Sequence, residues 1–328
     1  MSRKTLSKII SSVGKFFSPK LQSTGQDRGL FCSDFKKMAD VTTALCQMGY
    51  VFNSDGQLRR LGKYKTVTDE PFLFEVSTEP EECQAHYEKL GGVITNYVYQ
   101  TLQSKERLIR LPCPKDSTPE NGTFIFVSKD YDLKDILVIL IQGSGAVRAG
   151  QWSRALIINE GLDIGSQIPY IKKALGKGYG VMILNPNDNR RGKNQKIPHN
   201  GTGEEHARYV WDNYVKEAKA SKILIVAHSY GGILTVTLSD QLKEEFEQRV
   251  KAIAMTDSVH GYSEFKVTDY LKKISKNWIS SSAPLDTPLK TPEFDITRVS
   301  AGHPRHEMTS SKCIESVFSF FEEQLAEN

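Results

Sequence analysis

A doubly wound, mostly parallel α/β sheet is the fold the sequence predicts, and two observations point to it. From residue 123 onward, short runs rich in Val, Ile and Leu alternate with helical segments. Runs that stay apolar, instead of alternating with polar residues, read as strands buried on both faces. The second observation is that one of them, Ile223-Leu-Ile-Val-Ala227, leads directly into His228-Ser229-Tyr230-Gly231-Gly232 and a helical stretch to about Glu247.

Three regions follow from the pattern along the chain. In residues 1–30, Arg3, Lys4, Lys8, Lys15 and Lys20 precede the first acid, Asp27, with Leu6, Ile9, Ile10, Val13, Phe16 and Phe17 at near-helical spacing among them. A disordered tail is the favoured reading, beside a surface-seeking amphipathic helix and an organelle transit peptide. Residues 31–111 read as a helix-hairpin-helix extension packed on the core. Phe35, Met38, Val41, Leu45 and Met48 mark a helix that Gly49 closes, and Tyr50-Val-Phe turns through Asn53 to Gly56 into Gln57–Leu61. A long helix is expected over Glu79–Leu108, apolar along Tyr87, Leu90, Ile94, Tyr97, Val98 and Leu102, with Gly91-Gly92 as its weak point.

Residues 112–328 form the expected core. Its strands are Thr123–Val127, Leu137–Ile141, Gly180–Leu184, Ile223–Ala227, Val250–Met255, a weak Trp278–Ser282 and a last one at Ile296–Ser300, followed by a helix through Phe318, Phe320 and Phe321. Asn185–Gly203, with Arg190, Arg191, Lys193 and Lys196 among Asn, Gly and Pro, is the least ordered interior stretch expected.

Composition narrows the function classes. At 328 residues and 39% hydrophobic content the chain can bury one large domain and a smaller attachment. Five scattered cysteines with no C-x-x-C pair suggest neither a zinc site nor a disulfide framework, and point to a reducing compartment. No metal or cofactor is expected. No apolar run reaches the length of a membrane span, and a net charge of +4 with interspersed signs makes no case for direct nucleic-acid binding. Gly143-Ser144-Gly145 is not a dinucleotide fingerprint, because Arg148 stands where the third glycine belongs.

The Ser229 segment carries the chemistry. In a nucleophile elbow, a serine on a strained strand-to-helix turn needs small residues two before and two after it, and Ala227 and Gly231 supply them. That pattern predicts an α/β-hydrolase-like core. The hydroxyl needs a base to take its proton, and the order Ser, acid, His points past the last strand to His303 and His306. His306 is preferred, since it stands just before a Thr309/Ser310 helix cap while His303 is committed to an X-Pro turn. Asp286, after the penultimate strand, is the favoured acid, and Asp257, at the end of the strand before it, is the alternative. An oxyanion hole needs two N–H donors. Tyr230 would give one, and Ser144 or Gly145, after the Leu137 strand, the other.

Beyond these sites, five stretches carry a resemblance: Ile141-Gln-Gly-Ser-Gly-Ala-Val-Arg-Ala-Gly-Gln-Trp152, Gly178 to Asn187, Ala227 to Gly232, Thr256-Asp-Ser-Val-His260 and Arg298 to Gly302. Across roughly Phe35 to Phe321 the sequence resembles the Argonaute-binding-protein-two (Arb-two) domain family, a divergent α/β-hydrolase branch that includes animal cotranscriptional regulators. The resemblance implies an interaction protein working with Argonaute-family, chromatin or splicing proteins in the nucleus or cytoplasm. It also implies a hydrolase scaffold that could act on a small acyl substrate, an ester, thioester or amide, with the nucleophile at Ser229 and the histidine at His306. Animal members carry a long charged insertion after Asn-Pro-Asn and a retention-like C-terminal tail. Here only Asn189–Gly203 intervenes and the chain stops at Glu327-Asn328, so nuclear, cytoplasmic, endoplasmic-reticulum and N-terminally targeted locations stay open.

Overall fold

In the computed structural model, residues 40–327 are described. The basic N-terminal stretch of the sequence reading lies outside them. A helix over 40–47 (α1) leads through Gly49, at φ 86°, into an antiparallel hairpin of β1 (Tyr50–Phe52) and β2 (Leu58–Arg60). Helix α2 (Pro80–Ser104) starts with proline in its first turn and Glu81 and Glu82 against the positive end of its dipole. It buries Leu90, Ile94, Val98 and Leu102, one residue per turn. Gly91-Gly92, expected as its weak point, does not interrupt it. A methyl at Gly91 would meet the Arg154 side chain at 2.7 Å, and Arg154 lies over the Tyr87 ring one turn away, so this glycine makes room for a guanidinium.

The core is one eight-stranded sheet in the order β12-β11-β10-β9-β5-β6-β4-β3. Its strands are β3 (Ile109–Cys113), β4 (Thr123–Val127), β5 (Ile136–Ile141), β6 (Gly180–Ile183), β9 (Lys222–His228), β10 (Val250–Thr256), β11 (Ser275–Ile279) and β12 (Arg298–Ser300). Only β4 runs against its neighbours, and every other pairing is parallel. This is the expected α/β-hydrolase-like sheet, except that β3 adds an edge strand across the boundary placed at 111. The remaining strands, β7 (Arg190–Arg191) and β8 (Gln195–Lys196), form a small hairpin within the stretch expected to be least ordered.

Side chains alternate across the central strands into two cores. Val138, Leu140, Leu224, Val226, Ala252 and Ala254 face the side covered by α1, the β1–β2 hairpin, α2 and the C-terminal helix with Phe318 and Phe321. Leu137, Ile139, Ile141, Ile223, Ile225 and Ala227 face the other, against Val210, Trp211, Leu234, Leu238 and Phe246. Burial on both faces is why these strands read as unbroken apolar runs, and it leaves their carboxyl ends as the place where polar residues gather.

Candidate active site

Ser229 stands between β9 and helix α7 (Gly231–Arg249) with φ 53°, left-handed for a residue with a side chain. Strain of this kind costs on the order of 1–3 kcal/mol and persists only where the surroundings enforce it. Here Ser229 N–H donates to Thr256 O at 3.1 Å, and Ser229 O accepts from the N–H of Gly232 and Val259. Ala227 is fully buried. A methyl at Gly231 would come within 2.6 Å of Ile141 O, and one at Gly143 within 2.9 Å of Ser229 Cβ. The elbow therefore nests on the end of β5, and both glycines are fixed by contact.

His306 opens a short helical turn after β12, and its Nδ1 lies 2.7 Å from Asp257 Oδ2. Its ring packs against that of His228, centroids 4.7 Å apart, and His228 is bonded in sequence to Ser229. Asp257 leaves β10 at φ 47°, with its own N–H on Trp278 O and its Oδ1 accepting from Ser280 N–H. Burial opposes the charge of Asp257, yet the hydrogen bonds from His306 and Ser280 outweigh it and hold the carboxyl below its ordinary range. The same bond raises His306 above the usual histidine value against the cost of its partial burial. His228 behaves oppositely. Buried, and facing a second imidazole, it is pushed down to about 4, and it donates Nδ1–H to Thr256 O at 2.9 Å. The ring beneath His306 is therefore neutral at neutral pH and leaves His306 free to take up a proton.

Asp286, the favoured acid in the sequence reading, makes no hydrogen bond to His306 among the described residues. Its Oδ1 accepts from Trp278 Nε1 at 2.8 Å and from Ser316 Oγ, which ties the segment after β11 to the C-terminal helix. The loop reaching Asp286 turns back along β12, where Asp286 N–H donates to Ser300 O. The carboxylate that meets the histidine is Asp257. His303 is turned to its own loop, its Nδ1 accepting from Arg305 N–H. The Ser229 hydroxyl has no hydrogen-bond partner among the described residues, and neither do the N–H groups of Tyr230, Ser144 and Gly145. Ser144 and Gly145 are exposed and follow Gly143, which lies against Ser229.

Several residues that hold this arrangement escaped the sequence reading. Thr256, the last residue of β10, receives both Ser229 N–H and His228 Nδ1–H on its carbonyl, and its Oγ1 pairs with Ser310 Oγ at 2.7 Å, four residues beyond His306. Beside it, His260 bridges Ser258 Oγ and Asp295, pinning the loop that follows Asp257. The sequence signal was present in the Thr256-Asp-Ser-Val-His260 stretch, but its partners lie far along the chain. Among the described residues no group of three or more His, Cys, Asp or Glu side chains is placed to hold a metal ion.

Comparison with known proteins assigns this architecture. The Arb2 domain matches residues 41–190 and 188–285. The chain belongs to the Arb2 domain family. It is 39% identical over 333 residues to the mouse cotranscriptional regulator ARB2A, covering 84% of this chain and 79% of that one. With a Caenorhabditis elegans FAM172 family protein homolog, identity is 34% over 294 residues, covering 86% and 88%. In fold, a histone deacetylase chain from Saccharomyces cerevisiae superposes with a TM-score of 0.51 at 15% identity, over 73% of this Arb2 chain and 98% of that one. Among the described residues of the Arb2 protein, no helix is long and apolar enough to cross a membrane.

Proposed function

We propose that this Arb2 protein is a regulatory interaction protein, tied to transcription in the nucleus, whose hydrolase scaffold keeps a competent serine-hydrolase site. The regulatory half is supported by the name of the mouse relative, a cotranscriptional regulator that matches most of both chains. Within that role, Argonaute-family, chromatin and splicing proteins are the partners we propose.

The enzymatic half rests on one observation: the 2.7 Å Asp257–His306 pair standing over His228, next to a strained Ser229. In the reading it supports, Ser229 Oγ attacks an acyl carbonyl and passes its proton to His306 Nε2. Asp257 holds the imidazole with Nδ1–H toward itself and balances the imidazolium that forms. The oxyanion is met by the N–H of Tyr230 and that of Ser144 or Gly145. His306 returns the proton to the departing oxygen, sulfur or nitrogen, and water then releases the acyl group from Ser229 by the reverse path. The substrate class is an ester, thioester or amide.

A fluorophosphonate probe on the full-length protein tests the enzymatic half. Wild type is expected to label covalently, and Ser229→Ala and His306→Ala both to lose labelling, since the attacking group and its base fail together. Folded wild type that stays unlabelled while still capturing purified Argonaute-family or splicing proteins would leave the scaffold role alone standing. Capture of none of these by labelled protein would leave hydrolysis alone.

A further inference from the structure

The segment 185–204, which follows β6 and runs into the first turn of helix α6 (Gly203–Val210), does more than connect the two. Its first residues grip the loop after β5. Asn187 spends both protons of its amide on that loop, donating from Nδ2 to Gly143 O at 2.8 Å and to Val147 O at 3.1 Å. Two residues earlier, Asn185 Oδ1 accepts from Ala149 N–H at 3.0 Å, and Asn185 N–H donates to the buried His206 Nε2. At the other end of the segment, Glu204 accepts the hydroxyl hydrogen of Tyr230, the residue after Ser229. The two ends meet, because a side chain at Gly203 would touch Pro186 at 3.5 Å and Leu234, in the second turn of α7, at 3.4 Å. Hydrogen bonds brace the interior: Asp188 accepts from both terminal nitrogens of Arg191 at 2.7 Å, and Asn189 Nδ2 donates to Asn200 O. His206 Nδ1 meets Asn200 Oδ1 at 2.7 Å, and burial pushes this histidine down to about 3, so it stays a neutral strut.

We infer that this segment is a clamp that sets the spacing of the oxyanion hole, with Asn187 as its principal positioning residue and Glu204 as the second. The inference rests on the hydrolase reading of Ser229. Its physical content is that the two N–H donors come from separate elements, the loop after β5 and the start of α7, and one braced segment reaches both elements, through the Gly143 carbonyl and the Tyr230 hydroxyl. Asn187 leaves that loop's carbonyls occupied by its amide, which fixes the plane of the Gly143–Ser144 peptide and hence the direction of the Ser144 N–H. An oxyanion hole stabilises charge only if its donors point in advance at where the charge develops, so loosening either end costs transition-state stabilisation while sparing ground-state binding.

The test uses full-length wild type, Asn187→Ala, Asn187→Leu and Glu204→Gln, with 4-nitrophenyl acetate turnover and amide hydrogen exchange over residues 143–147. Asn187→Leu keeps size and adds no charge but has no N–H to give, so it separates donation from packing. Both Asn187 variants are expected to lower kcat about 10- to 100-fold, short of the 10²–10³ for outright loss of a donor. KM should hold, and the pH midpoint of kcat should not move, because the His306–Asp257 pair is untouched. Glu204→Gln should give a smaller loss of the same form. Wild-type kcat in Asn187→Leu, or a shifted pH midpoint, would overturn the clamp. If wild type neither turns over nor labels, the hydrolase reading falls and the oxyanion-hole role with it; exchange then tests the Asn187 grip on the loop alone, faster exchange at 143–147 in both Asn187 variants supporting the grip and unchanged exchange overturning it.

Discussion

Replacing Asp257 by Asn isolates the proposed orienting acid from everything else in the site. The carboxylate accepts on both oxygens, from His306 Nδ1 at 2.7 Å and from Ser280 N–H at 3.1 Å. An Asn there can keep the Ser280 bond through its oxygen, which turns its NH₂ toward His306. Imidazole Nδ1 must then accept instead of donate, so the ring's proton moves to Nε2, the nitrogen that should take the proton of Ser229. A well-formed triad loses roughly 10⁴ in rate from this tautomer error, about 5 kcal/mol of transition-state stabilisation. Asp286→Asn is the matched control. Its Oδ1 accepts from Trp278 Nε1 and Ser316 Oγ, and an amide oxygen can still accept from both, so labelling should stay near wild type. Second-order rate constants for fluorophosphonate labelling, read by intact-mass spectrometry over a range of probe concentrations, measure both. The reasoning fails if Asp257→Asn labels at the wild-type rate, or if Asp286→Asn falls as far.

Further outcomes follow from the same geometry. Since only neutral His306 can act as base and its pKa is raised by Asp257, labelling should rise with pH through a midpoint above the usual 6.5; a midpoint at or below that value refutes the pairing. For His228, the unfolded chain takes up a proton near 6.5 and the folded chain only near 4. Stability should therefore be full above pH 6.5 and fall as pH drops toward 4, by roughly 3 kcal/mol from this residue. Urea titrations of wild type and His228→Asn, which keeps a donor for Thr256 O, should show the variant losing less over that range; equal losses would assign the acid sensitivity elsewhere. Gly231→Ala forces a methyl to within 2.6 Å of Ile141 O, and overpacking of this order costs about 1–3 kcal/mol, visible as a lower urea midpoint. An unchanged midpoint would mean that the elbow has room to spare.

The sheet was legible wherever burial on both faces made a strand uniformly apolar, as at Ile223–Ala227 and Leu137–Ile141. Strand β3 was not, because Ile109-Arg-Leu-Pro-Cys113 sits on an edge with most of its residues at least partly exposed and Pro112 among them. In the site, Ser229 and Tyr230 could be read because an elbow is a local motif with local steric rules. The pairing of acid and histidine was not readable, since Asp257 and His306 lie 49 positions apart and both acids end plausible strands. What separates them is the turn at Asp257, whose N–H is taken by Trp278 O, a contact no spacing encodes. Asn185-Pro-Asn187 was visible as a motif, but its partners, Gly143, Val147 and Ala149, lie about forty residues upstream.

Thr256 gives the site a property that no single distance expresses. The carbonyl of this residue holds the backbone of Ser229 and the ring of His228, its hydroxyl is tied to the turn after His306, and its successor in the chain is Asp257. Ser229, His306 and Asp257, the proposed nucleophile, base and acid, are thus all surveyed from one benchmark at the tip of β10. A displacement of that tip would carry all three with it, and their mutual spacing would change less than their absolute positions. A catalytic group hung on an independent loop would drift against its partners with each such motion.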